Sequence, residues 1–109
     1  MKKDIYLIKN DINKKVYIGQ SVDAKNRFAQ HKSEARLNTN KMLIHKAIRK
    51  YGEEHFSLII LESQIENYDE RERYWIQYYI LWKSFLYFYL IHILNYKLTA
   101  LLNQLNIVY

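Results

Sequence analysis

Two short runs near the start of the chain alternate in a strand-like way, residues 4–9 (Asp4-Ile5-Tyr6-Leu7-Ile8-Lys9) and 15–19 (Lys15-Val16-Tyr17-Ile18-Gly19). A period of two predicts strands. Asn10-Asp11-Ile12-Asn13 between them is turn chemistry, so the pair reads as a hairpin. Placing Lys9 opposite Lys14, an assumed register, sets Tyr6 opposite Tyr17 and Asp4 opposite Gly19. Ile5, Leu7, Val16 and Ile18 then share one face, expected to be the core face. Tyr6, Ile8, Tyr17 and Gly19 share the other. A helical period follows. Ser21 or Asp23 is placed to cap a helix running to about Leu37, with Val22, Ala24, Phe28, Ala29 and Ala35 as a modest apolar stripe. Asn38-Thr39-Asn40 reads as a loop. Leu43, Ile44, Ala47, Ile48 and Tyr51 recur at helical spacing, and Gly52 stands where a left-handed cap belongs. Phe56 to Glu62 reads as a buried third strand. Asn67-Tyr68-Asp69-Glu70 resembles a capping box, opening a helix with Tyr68, Trp75, Ile76 and Tyr79 on one side. From Ile80 onward the pattern is apolar all round. Its uninterrupted stretch is too short to span a bilayer, with Lys83 and His92 flanking or entering it.

Composition narrows the class. A chain of 109 residues fits one domain with a real core. The sequence holds no cysteine, which excludes a disulfide framework and a thiolate zinc site and fits a reducing, cytoplasmic setting. Met1-Lys2-Lys3-Asp4-Ile5 does not have the form of a secretory signal. The net charge of +6 favours a polyanionic partner, nucleic acid or an anionic membrane surface.

Several side chains fall into place for phosphodiester chemistry. Arg27 and His31 are four apart and share a helix face. Arg27 offers a planar fork for phosphate oxygens. Glu72 lies inside the apolar side of its helix, where an unpaired carboxylate is costly, and no basic residue stands three or four positions away. One carboxylate can hold a divalent cation such as Mg²⁺ or Mn²⁺, the rest of the coordination coming from water and substrate. Tyr6 or Tyr17 is positioned to orient or deprotonate water, although an unperturbed phenol is a weak base at neutral pH. Gly19 lets backbone approach a phosphate with no side chain in the way. Lys25, Arg27, Lys32, Arg36, Lys41, Lys46, Arg49 and Lys50 cluster in the two central helices as a phosphate-contacting surface. His45, His55 and His92 are scattered without metal-ligand spacing and read as structural.

These residues resemble the GIY-YIG endonuclease superfamily. Its first motif is present as Asp4-Ile5-Tyr6, with aspartate for glycine, and its second as Tyr17-Ile18-Gly19. Its arginine and histidine match Arg27 and His31. Lys50-Tyr51-Gly52 followed by Phe56 resembles its approach to the third strand, and its glutamate matches Glu72 in Glu70-Arg71-Glu72-Arg73-Tyr74-Trp75-Ile76. The resemblance covers roughly residues 4–79 and implies an α/β (α+β) fold, a three-stranded antiparallel sheet flanked by helices. It implies metal-dependent cleavage of nucleic acid, usually DNA, with Tyr6, Tyr17, Arg27, His31 and Glu72 as the catalytic set and either tyrosine as base. Lys41 stands near the place of a further basic residue. Asn95-Tyr96-Lys97-Leu98-Thr99 comes later than the family's Gly-Tyr-Asn run and in another order, so no residue is carried over for its supporting asparagine. The expected organisation is a nuclease domain over 1–79 and an atypical apolar tail over 80–109. Two rivals stand beside the endonuclease reading: a catalytically inactive or impaired DNA-binding module of the same fold, and a membrane-peripheral protein using the tail.

Overall fold

Strand β1 (Lys3–Asn10) takes the centre of an antiparallel sheet, with β2 (Val16–Ser21) on one side and β3 (Phe56–Ile65) on the other. The computed structural model describes the backbone of residues 1–37 and 42–104, and their side chains except at 83–88, 91, 95, 96 and 98–104.

The hairpin forms in a register two residues from the expected one. Tyr6 pairs with Gly19, Ile8 with Tyr17 and Lys9 with Val16. The turn explains the shift. Asn10 N donates to Lys15 O at 3.0 Å, and Lys14 N donates to Asn10 O at 2.9 Å. Lys14 itself sits at φ 64°, in the left-handed region, and so leaves the strand. The Asn10 side chain accepts from Ile12 N and closes the loop. Opposite Tyr6 only glycine fits, because a Cβ at Gly19 would lie 2.6 Å from the Tyr6 hydroxyl oxygen.

A shift of two keeps every side chain on its expected face, but the core lies on the other face. Helices α1 (Ala24–Arg36) and α2 (Leu43–Tyr51) supply Ala24, Ala35, Ile44 and Ile48 to a cluster with Tyr6, Ile8 and Phe56. Tyr17, Phe28, Ala47, Tyr51 and Leu58 pack against it. Each fully buried isoleucine here contributes about 1.5–3 kcal/mol. Ile5 and Leu7 are buried as well, whereas Val16 is exposed.

The helix termini follow the sequence. Asp23 caps α1 by accepting from Asn26 N at 3.1 Å. Val22 and Ala29, expected in its stripe, are exposed, and His31 is buried in their stead. Leu43 of α2 is exposed too. Gly52 ends α2 at φ 95° and ψ 136°, a positive φ but not the helical left-handed well. The chain passes through one 3-10 turn (Glu53–His55) into β3.

That third strand is longer than expected and is only partly buried. It is an edge strand, and Ile59 and Ile60 are 47% and 39% exposed. Its far end is irregular, with register shifts around Ile5 and Gln64 at φ 53°. Asp4 anchors this irregularity. One oxygen accepts from Ala24 N, and the other from Ser63 Oγ, Gln64 N and Gln64 Nε2. Burial pushes the Asp4 carboxyl up, yet these hydrogen bonds outweigh it and hold the group below its usual range. Aspartate in the first motif thus joins β1 to α1 and to β3.

Helix α3 (Tyr68–Gln104) begins with Arg71 N donating to Asn67 O. Arg71 Nε and Trp75 Nε1 both donate to Glu62 Oε2 at 2.7 Å, and Gln20 Nε2 donates to Asp69 Oδ1 at 2.9 Å. These bonds fix the first turns of α3 to the sheet. The chain divides into two units, Met1–Trp75 and Ile76–Tyr109. The second is helical through Gln104 and exposes Ile80, Leu81, Trp82, Tyr89, Leu90 and Leu94. Among the described residues no helix is long and apolar enough to cross a membrane.

Candidate active site

The hairpin and α1 bring Tyr6, Tyr17 and His31 together. The Tyr6 and Tyr17 rings lie 6.4 Å apart, and Tyr17 meets His31 edge-on at 5.6 Å. Tyr6 is 2% exposed, and its hydroxyl oxygen is 3.1 Å from His31 Nε2. Gly19 makes this possible, since the Tyr6 phenol occupies the space its side chain would fill.

Arg27 and Glu72 act on both phenols. Burial pushes Tyr6 up to about 12, Tyr17 and Glu72 push the same way, and the Arg27 guanidinium, through its charge and a hydrogen bond, pulls it back. Burial also raises Tyr17. Arg27 lowers it, Glu72 raises it, and a hydrogen bond from Tyr6 lowers it. Both phenols are therefore protonated at neutral pH. Arg27 also lies 3.8 Å from Glu34.

Glu72 is half-buried on the first turns of α3. Its Oε2 is buried and has no hydrogen-bond partner among the described residues. A carboxylate oxygen in that state carries a desolvation cost that a cation would relieve. The residue thus fits a hard divalent cation, which takes oxygen ligands.

A residue read as structural in the sequence joins the site. His45 is fully buried, and its Nε2 lies 2.8 Å from His31 Nδ1 and 3.2 Å from Glu34 Oε2. Burial lowers both imidazoles, His31 to about 4, where Arg27 and His45 add to the effect and Glu34 opposes it. The signal for His45 was its helix position, three before Ile48 and next to Ile44 on the buried side. His31, Glu34 and His45 also form a group whose ligand atoms lie within 4.8 Å of one another. His55 is not a member of this group. Lys41 lies outside the described residues. Among the basic helix residues, Arg36 is paired with Glu53, while Lys25, Lys46 and Lys50 are exposed.

Comparison with known proteins matches this fold. The GIY-YIG catalytic domain family matches residues 2–83. The catalytic domain of the homing endonuclease I-TevI superposes with a TM-score of 0.60 at 30% identity, covering 69% of this chain and 85% of that one. A glutamate-to-alanine mutant of that intron endonuclease domain gives a TM-score of 0.60 at 32% identity, covering 71% and 82%. A protein described by an MSV199 domain, 146R of Invertebrate iridescent virus 6, is 39% identical over 60 residues, which are 54% of this chain. The match spans about a quarter of that relative, 24% of its length. GIY-YIG nucleases generally use a divalent metal, and the substrate of a nuclease domain is nucleic acid. With motif order, three-stranded sheet and family match in agreement, this chain belongs to the GIY-YIG catalytic domain family.

Proposed function

We propose that the chain is an endonuclease that hydrolyses phosphodiester bonds in DNA, assisted by one divalent cation, Mg²⁺ or Mn²⁺. The observation that carries this reading is the buried oxygen of Glu72, which has no partner among the described residues and is set within the electrostatic reach of two phenols that also feel Arg27. Likeness to the catalytic domain of a homing endonuclease supports DNA as the substrate.

Each residue has a part its chemistry fits. Glu72 would hold the cation, which when bound supplies a Lewis acid for the phosphate. Arg27 engages the phosphate oxygens with its fork and neutralises charge that builds on them. Tyr6 and Tyr17 hold the attacking water in line through their hydroxyls. Either phenol becomes a base only when its proton is drawn off, and Arg27 is the cation that lowers both. His31 assists by its hydrogen bond to Tyr6. Gly19 keeps side-chain bulk away from the Tyr6 phenol, which fills the space beside it. Lys41 and the exposed lysines of α1 and α2 contact flanking phosphates.

Nicking of supercoiled plasmid tests the reading. Cleavage requires Mg²⁺ or Mn²⁺ and is lost in Glu72→Ala and in Arg27→Ala. Robust cleavage by a folded Glu72→Ala variant sinks the assignment. A gel shift at low salt with no cleavage in either metal would favour a binding module of the same fold.

A further inference from the structure

Behind Tyr6, side chains form a continuous line of short polar contacts: Tyr6 Oη to His31 Nε2, His31 Nδ1 to His45 Nε2, and His45 Nε2 to Glu34 Oε2. His45 Nε2 takes part in two of these contacts and can carry only one hydrogen, so the surroundings decide where the protons sit. The Glu34 carboxylate is flanked by the Arg27 guanidinium and receives a bond from Gln30 Nε2 at 3.1 Å. It offers only lone pairs, so the His45 Nε2 that faces it must carry a hydrogen.

The far side of the His45 ring gives the same answer. Its Nδ1 is buried with no hydrogen-bond partner among the described residues. A stranded N–H donor is rarer and costlier in a protein interior than an acceptor left unused. With His45 protonated at Nε2, His31 Nδ1 at 2.8 Å is the acceptor. A neutral His31 then carries its single proton on Nε2, aimed at the Tyr6 oxygen. The Tyr6 O–H is left to point away from His31 and toward Tyr17, whose ring centroid lies 6.4 Å from that of Tyr6.

We propose that His45, oriented by Glu34, is a positioning residue that locks His31 in its Nε2–H tautomer and so turns the Tyr6 O–H forward to Tyr17. The line then runs in one direction, from His45 through His31 and Tyr6 to Tyr17. It denies the Tyr6 proton a route back into His31, and it gives a Tyr6 phenolate a donor to rest on. The consequence for catalysis rests on the two phenols acting on the attacking water, as proposed above. The tautomer itself does not. A proton between two nitrogens 2.8 Å apart also leaves no pair of free lone pairs for an ion shared by His31 and His45.

Nitrogen-15 spectra of the imidazole rings of the full chain, recorded near neutral pH without DNA, read the tautomers directly. Both rings are expected neutral with the proton on Nε2. A His31 ring protonated at Nδ1 overturns the proposal. Addition of Zn²⁺ or Mn²⁺ that moves the nitrogens of both rings marks a cation site there and also overturns it. In His45→Phe the donor to His31 is lost, so the His31 signals shift toward mixed tautomers. The cleavage rate then falls roughly 10-fold or more, with KM for DNA unchanged. His45→Gln keeps an N–H at that place and retains the Nε2–H signal of His31 and most of the rate. A His45→Gln variant as impaired as His45→Phe, or a His45→Phe variant with an unchanged His31 signal, contradicts the lock. If His45→Phe does not fold, the wild-type and His45→Gln spectra decide the matter. Because the spectra need no cleavage, a chain that cuts no DNA would refute the nuclease reading without touching the tautomer result.

Discussion

The two flanks of Tyr6 and Tyr17 are built on opposite plans. On the α1 and α2 side, polar atoms find each other: Tyr6 meets His31, His31 meets His45, and His45 meets Glu34. On the α3 side, Glu72 keeps a buried oxygen with no partner among the described residues. The α3 helix is nevertheless well fixed there, since Arg71 and Trp75 both donate to Glu62. The contrast teaches which flank has polar capacity to spare. A satisfied flank orients a phenol, and an unsatisfied one on a rigid support is prepared for something from outside.

The largest effect comes from filling in the open flank. Glu72→Ala should slow cleavage by about a thousandfold, the scale of several kcal/mol expected from losing a cation site. Its thermal midpoint should stay level or rise, because an unpaired buried carboxylate oxygen is removed with it. A fall in midpoint matching the loss of activity would mean that Glu72 supports the fold.

Acid should break the closed flank next. The folded state holds His31 at about 4, whereas an unfolded histidine takes its proton near 6.5. The folded form is thus favoured in full above pH 6.5, and that share of stability is lost as pH falls from 6.5 toward 4. For a side chain fully out of solvent it is at most about 3 kcal/mol, and His45 moves in the same direction. Denaturant midpoints measured across that window should fall, and His31→Gln should flatten the fall. An equal slope in the variant would assign the acid sensitivity elsewhere.

A smaller loss is expected where the hairpin supports both flanks. In Gly19→Ala the new methyl meets the Tyr6 hydroxyl at 2.6 Å, and that phenol is buried and hydrogen-bonded. The ring must shift, at about 1–3 kcal/mol of stability. Thermal melts would show it, and an unchanged melt would mean that Tyr6 can move freely.

Much of this site is legible in the sequence because local rules and global packing agree there. The alternation around Tyr6 and Tyr17, the Asp23 cap and the placement of Glu72 on an apolar helix side all have local causes. What escapes has non-local causes. The register depends on Lys14 adopting a left-handed turn and on Tyr6 needing glycine opposite. The core face depends on which side α1 and α2 choose to cover, and parity alone does not say. The edge position of β3 follows from strand order rather than from its apolar run. His45 is a lone histidine in sequence, and only the packing of α2 against α1 gives it His31 and Glu34 as neighbours. Asp4, where the first motif's name has glycine, likewise finds its donors at residues 24, 63 and 64, far along the chain.

The contrast between the flanks is tested most directly by paramagnetic broadening with Mn²⁺ in NMR spectra of the intact chain. Resonances beside Glu72 should broaden first, and the effect should vanish in Glu72→Gln while persisting in His45→Gln. Broadening centred on His31 and His45 that survives Glu72→Gln would contradict the account.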